Sequence, residues 1–201
     1  MIGTAPARSK RRLTCECILP LAECATRKRH RGRIAKIKRR RRVEVGPYAT
    51  FYFQNYDTMR QQVQEMLYIE KGGDAQLEDE LSGYNPLIPQ GCELIATIML
   101  EIDEPARPVA VLSRLGGIEN RTFLDITGEL TRGQPDPTRE NTSAEGKASA
   151  VQFFEVPVTR DQITWFKTPG MQVVVGFDHF NYAHMAVLPQ AVRAALSGDF
   201  D

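Results

Sequence analysis

Residues 43–53 read VEVGPYATFYF. Two β-branched and aromatic runs, Val43–Val45 and Ala49–Phe53, flank Gly46-Pro47, the pattern of a β-hairpin. Thr122–Thr127 and Glu129–Thr131 repeat it around Gly128. Residues 92–103 (CELIATIMLEID) read as a long strand. Leu94, Ala96, Ile98 and Leu100 share one face, and Ile95, Thr97, Met99 and Glu101 the other. Val151–Val158 and Met171–Phe177 add two more strands. Hairpins join strands antiparallel, and strict strand–helix–strand alternation is missing. The expected fold is therefore α+β, with a mixed or mainly antiparallel sheet and N-terminal helices.

Outward from the first hairpin, Asp57 is placed to cap a helix over Thr58–Glu70, whose Met59, Val63, Met66 and Leu67 form one stripe. Gly72-Gly73 ends it. Asp74 opens a second helix carrying Leu77 and Leu81, with Glu78, Asp79 and Glu80 around them, and it stops before Pro86. Helices are also expected from Ala106 to about Leu115, after Thr159, and over Gln190–Leu196. Residues 133–149, rich in Gly, Pro and Ser, read as a mobile surface loop. At the other end, Thr14 could cap a short helix through Pro20, and a longer helix spans Leu21 to about Arg42. Thr26–Arg33 within it has no apolar side chain, so it must face solvent, acidic protein or a polyanion. Residues 1–12 read as a disordered basic extension of a single domain over 13–201.

The net charge of +1 conceals a division. Residues 1–43 hold 15 Lys/Arg against 2 Glu, a net of +13, and residues 44–201 hold 11 against 23, a net of −12. A basic helical part, 13–43, is thus joined to an acidic body, which implies an interaction surface. Arg27, Lys28, Arg29, Arg31, Arg33, Lys36, Lys38, Arg39, Arg40, Arg41 and Arg42 are its candidate contacts. Three readings stay open: docking to acidic protein of this or another chain, neutralising phosphates of nucleic acid, or a solvated helix face. No Phe, Trp or Tyr lies between Leu13 and Tyr48 to stack bases.

With 42% hydrophobic residues the chain can bury a core unaided, and four cysteines are too few for a disulfide scaffold. Apolar runs such as Leu94–Leu100 fall far short of the ~20 residues that span a bilayer. P-loop, Rossmann, nucleophile-elbow and zincin motifs are all missing, so no reaction is indicated and no cofactor is expected.

Several short motifs, in order, carry a resemblance. They are Leu13-Thr14 with Ile18–Leu21, Arg41-Arg42-Val43, Val45-Gly46-Pro47, Gln64–Leu67 and Tyr84–Pro89. Gly117-Ile118-Glu119, Ser149-Ala150-Val151, Val175-Gly176 and Asp178-His179 follow. On these, the chain from 13 to about 183 resembles a bacterial family of uncharacterised proteins, domain-of-unknown-function family 3501. The resemblance implies a cytoplasmic protein and no defined activity. It also implies genes beside those of rubrerythrin-like and iron–sulfur-binding proteins, hence a redox-associated protein partner.

Two polar constellations remain. Cys15, Cys17, Cys24 and His30 give C-x-C-x6-C-x5-H, too tight at its first step for a zinc knuckle. The family pattern, as the resemblance implies it, has an acidic residue near Cys17 and an aromatic near Cys24, so free thiols are the reading. Glu65, Tyr84, Asn85, Glu101, Glu119, Asp178 and His179 form a candidate polar site. In it Glu101 needs a partner and could cap the sheet edge, pair with Arg121 or Arg114, or join a carboxylate pocket, and His179 could act as base or ligand, with His184 a weak second ligand. The plain alternative is structural pairing and a turn at Asp178-His179.

Overall fold

The structure is a computed structural model and describes residues 12–18, 27–102 and 108–201, with residues 27–30 as backbone alone. Among the described residues nine strands form two sheets, and every strand pair is antiparallel. The first sheet contains β1 (Arg42–Val45), β2 (Ala49–Phe53), β3 (Glu93–Leu100), β6 (Gln134–Pro135) and β7 (Val151–Pro157), in the order β1-β2-β3-β7-β6. The second contains β4 (Thr122–Ile126), β5 (Glu129–Arg132), β8 (Val173–His179) and β9 (Tyr182–Val187), in the order β5-β4-β8-β9. The inner faces meet in one core that includes Phe51, Leu94, Ile98, Phe154, Leu124 and Phe177.

Strand β3 shows why the sequence is apolar on both faces. Leu94, Ala96, Ile98 and Leu100 enter the core between the sheets, while Ile95 joins a second cluster beneath helices. These are α1 (Arg27–Arg39), α2 (Tyr56–Glu70) and α3 (Gly73–Tyr84). Of the stripe expected on α2, Met59, Val63 and Leu67 are buried and Met66 is half-buried, with Leu81 of α3 and Leu13 beside them. Of α4 (Pro108–Leu112), α5 (Arg160–Lys167) and α6 (Gln190–Leu196), each contributes to the core between the sheets, through Leu112, Ile163 with Phe166, and Val192 with Leu196.

Turn chemistry sets both hairpins. Thr127 and Gly128 both have positive φ, 55° and 95°, as a two-residue hairpin turn requires. Gly46 has φ +69°, and a Cβ there would sit 2.6 Å from Cγ of His184, so only glycine fits between β1 and β9.

Several expectations are corrected. The basic helix ends at Arg39, and Arg42 opens β1. Its Leu21–Ala25 part lies outside the described residues, as do residues 1–11. Thr14 precedes a single 3-10 turn, Cys15–Cys17, without a side-chain cap. The cap of α2 is Asn55, which accepts from the Thr58 amide while the Thr58 hydroxyl accepts from the Asn55 amide; Asp57 sits in the first turn. Residues 133–149 are tied down: β6 pairs with β7, Gln152 donates to the Asn141 carbonyl, and Ala148 is buried. The strand expected at Met171–Phe177 runs on through His179, and β9 follows where no strand was anticipated.

Among the described residues, Thr122 carries the one buried side-chain oxygen without a hydrogen-bond partner. An unpaired hydroxyl in a core costs stability, and valine matches threonine in shape without it. Thr122→Val is expected to raise the unfolding free energy by about 1 kcal/mol in urea denaturation. A loss of stability would show that the hydroxyl has a partner.

Candidate functional site

Sheet and helices do not close completely on each other. Between the outer face of the first sheet and α1–α3 lies a cleft of about 340 Å³. Tyr52, Met99, Val151 and Phe153 of the sheet line one side, and Met59, Gln62, Tyr84 and Leu87 the other. Three buried polar residues also line it. The Gln54 side-chain Nε2 donates to the Thr97 hydroxyl at 2.9 Å, and the Thr58 hydroxyl donates to the Gln54 side-chain Oε1 at 2.9 Å. Burial pushes the Tyr84 phenol up, against the opposing effect of a hydrogen bond with Gln62, so it stays protonated at neutral pH.

Helix α1 borders the cleft through Lys38. It is anchored by buried Ile34 and half-buried Ile37. Arg33 reaches Asp57 of α2 at 2.8 Å. Arg31, Lys36, Lys38, Arg39 and Arg40 are exposed and have no ion pair among the described residues. Among the described residues, the acidic run Glu78–Glu80 on α3 makes no ion pair with α1. The side chains of Arg27, Lys28, Arg29 and His30, and all of Cys24, lie outside the described residues.

Arg41 leaves the exposed set. It is 3% exposed. Its guanidinium donates to the carbonyls of Phe53, Gln54 and Ala195 and pairs with buried Asp199. Its neighbour Arg42 pairs with Glu44 on the surface and lies over the Tyr52 ring.

The candidate polar residues do not form one constellation. Glu65 accepts from Gln61 at 2.8 Å within α2. Asn85 holds Leu13 in a two-way clasp, accepting from its amide and donating to its carbonyl at 2.7 and 3.1 Å. Glu101 is exposed beyond the end of β3 and accepts from the Tyr52 hydroxyl at 3.2 Å, so neither Arg114 nor Arg121 is its partner. Glu119 accepts from Thr142 at 2.8 Å. Asp178 pairs with Arg132 at 2.5 Å across the outer face of the second sheet, and that hydrogen bond holds its carboxyl below the usual range. His179 is engaged at both nitrogens: Nδ1 accepts from the Asn181 amide at 3.2 Å, so Nε2 carries the proton and faces the Gly116 carbonyl at 3.2 Å. A strand, not a turn, presents the pair, and His184 on β9 stacks edge-on against Tyr182. No group of three His, Cys, Asp or Glu that could hold a metal occurs among the described residues.

Comparison with known proteins agrees with the resemblance read from the motifs. The family model described as "Protein of unknown function (DUF3501)" matches residues 12–200. The chain belongs to the DUF3501 family. It is also similar to a novel protein of unknown function from Burkholderia pseudomallei K96243, whose crystal structure is at 1.90 Å resolution. The two are 34% identical, the match covers 94% of this chain and 99% of that one, and the TM-score is 0.86. No curated protein matches this DUF3501 chain.

The polar lining of the cleft in this DUF3501 member was not singled out by sequence reasoning. Its signals were Thr97, a polar residue between Ala96 and Ile98 in the apolar middle of β3, and Gln54 four residues before Thr58. A second overlooked feature surrounds Cys17, which is half-buried. The Thr14 hydroxyl lies 3.4 Å from its Sγ, the Tyr56 hydroxyl bonds it as well, and Arg60 donates to its carbonyl at 2.6 Å. These hydrogen bonds, that with Thr14 first, hold the thiol below its ordinary range, while burial pushes the Tyr56 hydroxyl up to about 12. A lowered thiol pKa means more thiolate at neutral pH. With the other three cysteines changed to Ser, the alkylation rate of Cys17 by iodoacetamide is expected to have its midpoint below the ordinary thiol pKa. Tyr56→Phe should move the midpoint up. An unmoved midpoint would show that the tyrosine does not support the thiolate.

Proposed function

We propose that this DUF3501 protein is a non-catalytic cytoplasmic accessory protein that docks an acidic partner protein through α1. The observation that carries the reading is the set of exposed cations on α1 and just after it, Arg31, Lys36, Lys38, Arg39 and Arg40, left without ion pairs among the described residues. Arginine-rich surfaces favour carboxylate or phosphate partners, and unpaired like charges on one helix create a field that draws them in. Ile34 ties the helix to the body, so the surface is presented on a fixed support. The motif resemblance supplies the partner class to try first, an iron–sulfur or rubrerythrin-type redox protein.

The test is retention from native cells on the tagged protein at about 50 and about 200 mM salt. It is run beside a variant carrying Arg31→Gln, Lys36→Gln, Arg39→Gln and Arg40→Gln. One acidic redox protein retained at low salt and lost with the variant is the expected result. Duplex DNA and structured RNA are titrated in parallel. Nucleic-acid affinity falling about 10³-fold between the two salts, with no protein retained, would replace the docking reading by a phosphate-binding one. Retention of the same protein by wild type and variant alike would overturn the role of α1.

A further inference from the structure

We infer that the cleft between the first sheet and α1–α3 is a binding site for a small, mainly apolar molecule bearing one anionic group, with Lys38 as its charge partner. This goes beyond the docking reading and stands without it. The cleft's volume, about 340 Å³, falls at the lower end of small-molecule sites and suits a fused-ring or short-chain ligand. Met59, Leu87, Met99 and Phe153 give it apolar walls on both sides. Such walls beside a few convergent polar groups are the usual anatomy of a ligand pocket.

The charge of the ligand follows from what lines the cleft. Residues 44–201 carry 23 Asp and Glu, yet none of them is among the lining residues. Two cations are. Arg41 is already neutralised by Asp199 and three carbonyls, and Lys38 is exposed without an ion pair among the described residues. Spare donors converge in the same space. Gln54 uses one amide N–H on Thr97 and keeps a second. Thr97 accepts that bond through its oxygen, so its own O–H is free to donate. The phenol of Tyr84, held protonated by burial, is a further O–H on the facing wall. An ammonium and spare donors, with no carboxylate among the lining residues, favour a ligand whose polar end only accepts hydrogen bonds and carries negative charge. None of the lining side chains would offer a cationic ligand a counter-charge.

The test uses 2-naphthoate, with 2-naphthalenemethanol as its uncharged counterpart, in calorimetric titration of the whole protein. Naphthoate is expected to bind one to one, about tenfold tighter than the alcohol. Lys38→Gln, a surface change whose fold is checked by its melting curve, should abolish the difference and leave the alcohol's affinity as it was. Met99→Trp, which fills the cleft from the sheet side, should abolish binding of both. Amide resonances of Gln54 and Thr97 should move on addition of naphthoate. Any one of three results overturns the inference: no saturable naphthoate binding up to millimolar concentration, equal affinity for naphthoate and the alcohol, or binding unaffected by Met99→Trp in a folded protein. Lys38 is untouched in the docking variant, so failure of one proposal leaves the other standing.

Discussion

Arg41→Ala is expected to lower the unfolding free energy by about 3–5 kcal/mol, the usual cost of removing one partner of a buried ion pair. The magnitude follows from what is left behind. The side chains of Arg41 and Asp199 are only 4% and 8% exposed, and the guanidinium also serves the carbonyls of Phe53, Gln54 and Ala195. Removing it takes the guanidinium from the Asp199 carboxylate and orphans carbonyls at the junction of β2 with α6. Arg41→Lys should recover only a small part, because an ammonium cannot reproduce the planar fork. Asp199→Asn in the Arg41→Ala background should restore some stability by removing the buried charge that the guanidinium neutralised. Urea unfolding of the four proteins, with unchanged dependence on denaturant, reads this directly. A loss below about 1 kcal/mol in Arg41→Ala would mean that water reaches the pair.

Tyr182→Ala is expected to cost a comparable amount, about 3–5 kcal/mol, the range for truncating a large buried aromatic. The ring is 2% exposed and packs against Phe177 and Tyr48, with centroids 5.5 and 6.1 Å away. Its hydroxyl joins the two sheets at their edge: it donates to the Val45 carbonyl at 2.7 Å and accepts from the amides of Tyr48 and Ala49 at 3.0 and 2.9 Å. Tyr182→Phe isolates that polar part and should cost about 1–3 kcal/mol, because buried backbone groups lose their partner. If Tyr182→Phe were neutral, the three bonds would not be holding the β1–β2 turn. Thermal melts of both variants separate ring from hydroxyl.

The elements legible in the sequence were those whose burial repeats. The inward face of β3, the stripe of α2 and the Gly128 turn all follow from local pattern, and the α+β class followed from the two hairpins. Strand β9 was not legible because only Tyr182 is fully buried in it; Ala183, His184 and Met185 face outward or lie at the edge, so alternation fails. The end of α1 was hidden for a different reason. Residues 38–42 are uniformly basic, and nothing local marks Arg41 as interior, since its partner lies far along the chain. The cleft is likewise a product of packing: Gln54, Thr97 and Lys38 are ordinary polar residues until β2, β3 and α1 bring them together. In the candidate polar set, each residue proved to have a contact elsewhere, because a carboxylate or imidazole at a strand end pairs with whatever donor the neighbouring strand or turn supplies.

The Arg41–Asp199 contact spans 158 residues of chain, and that separation has a consequence for how the protein is made. Closing so long a loop is entropically costly until the intervening sheets have formed. A nascent chain can pair β1 with β2 early, since their contacts are local. Arg41 has no counter-charge until Asp199 has left the ribosome, and β1 has no Tyr182 hydroxyl until β9 is complete. The basic helix can therefore seat on α2 early, through local contacts such as Arg33 with Asp57, while the Arg41 junction behind it is locked only once α6 and Asp199 have been made.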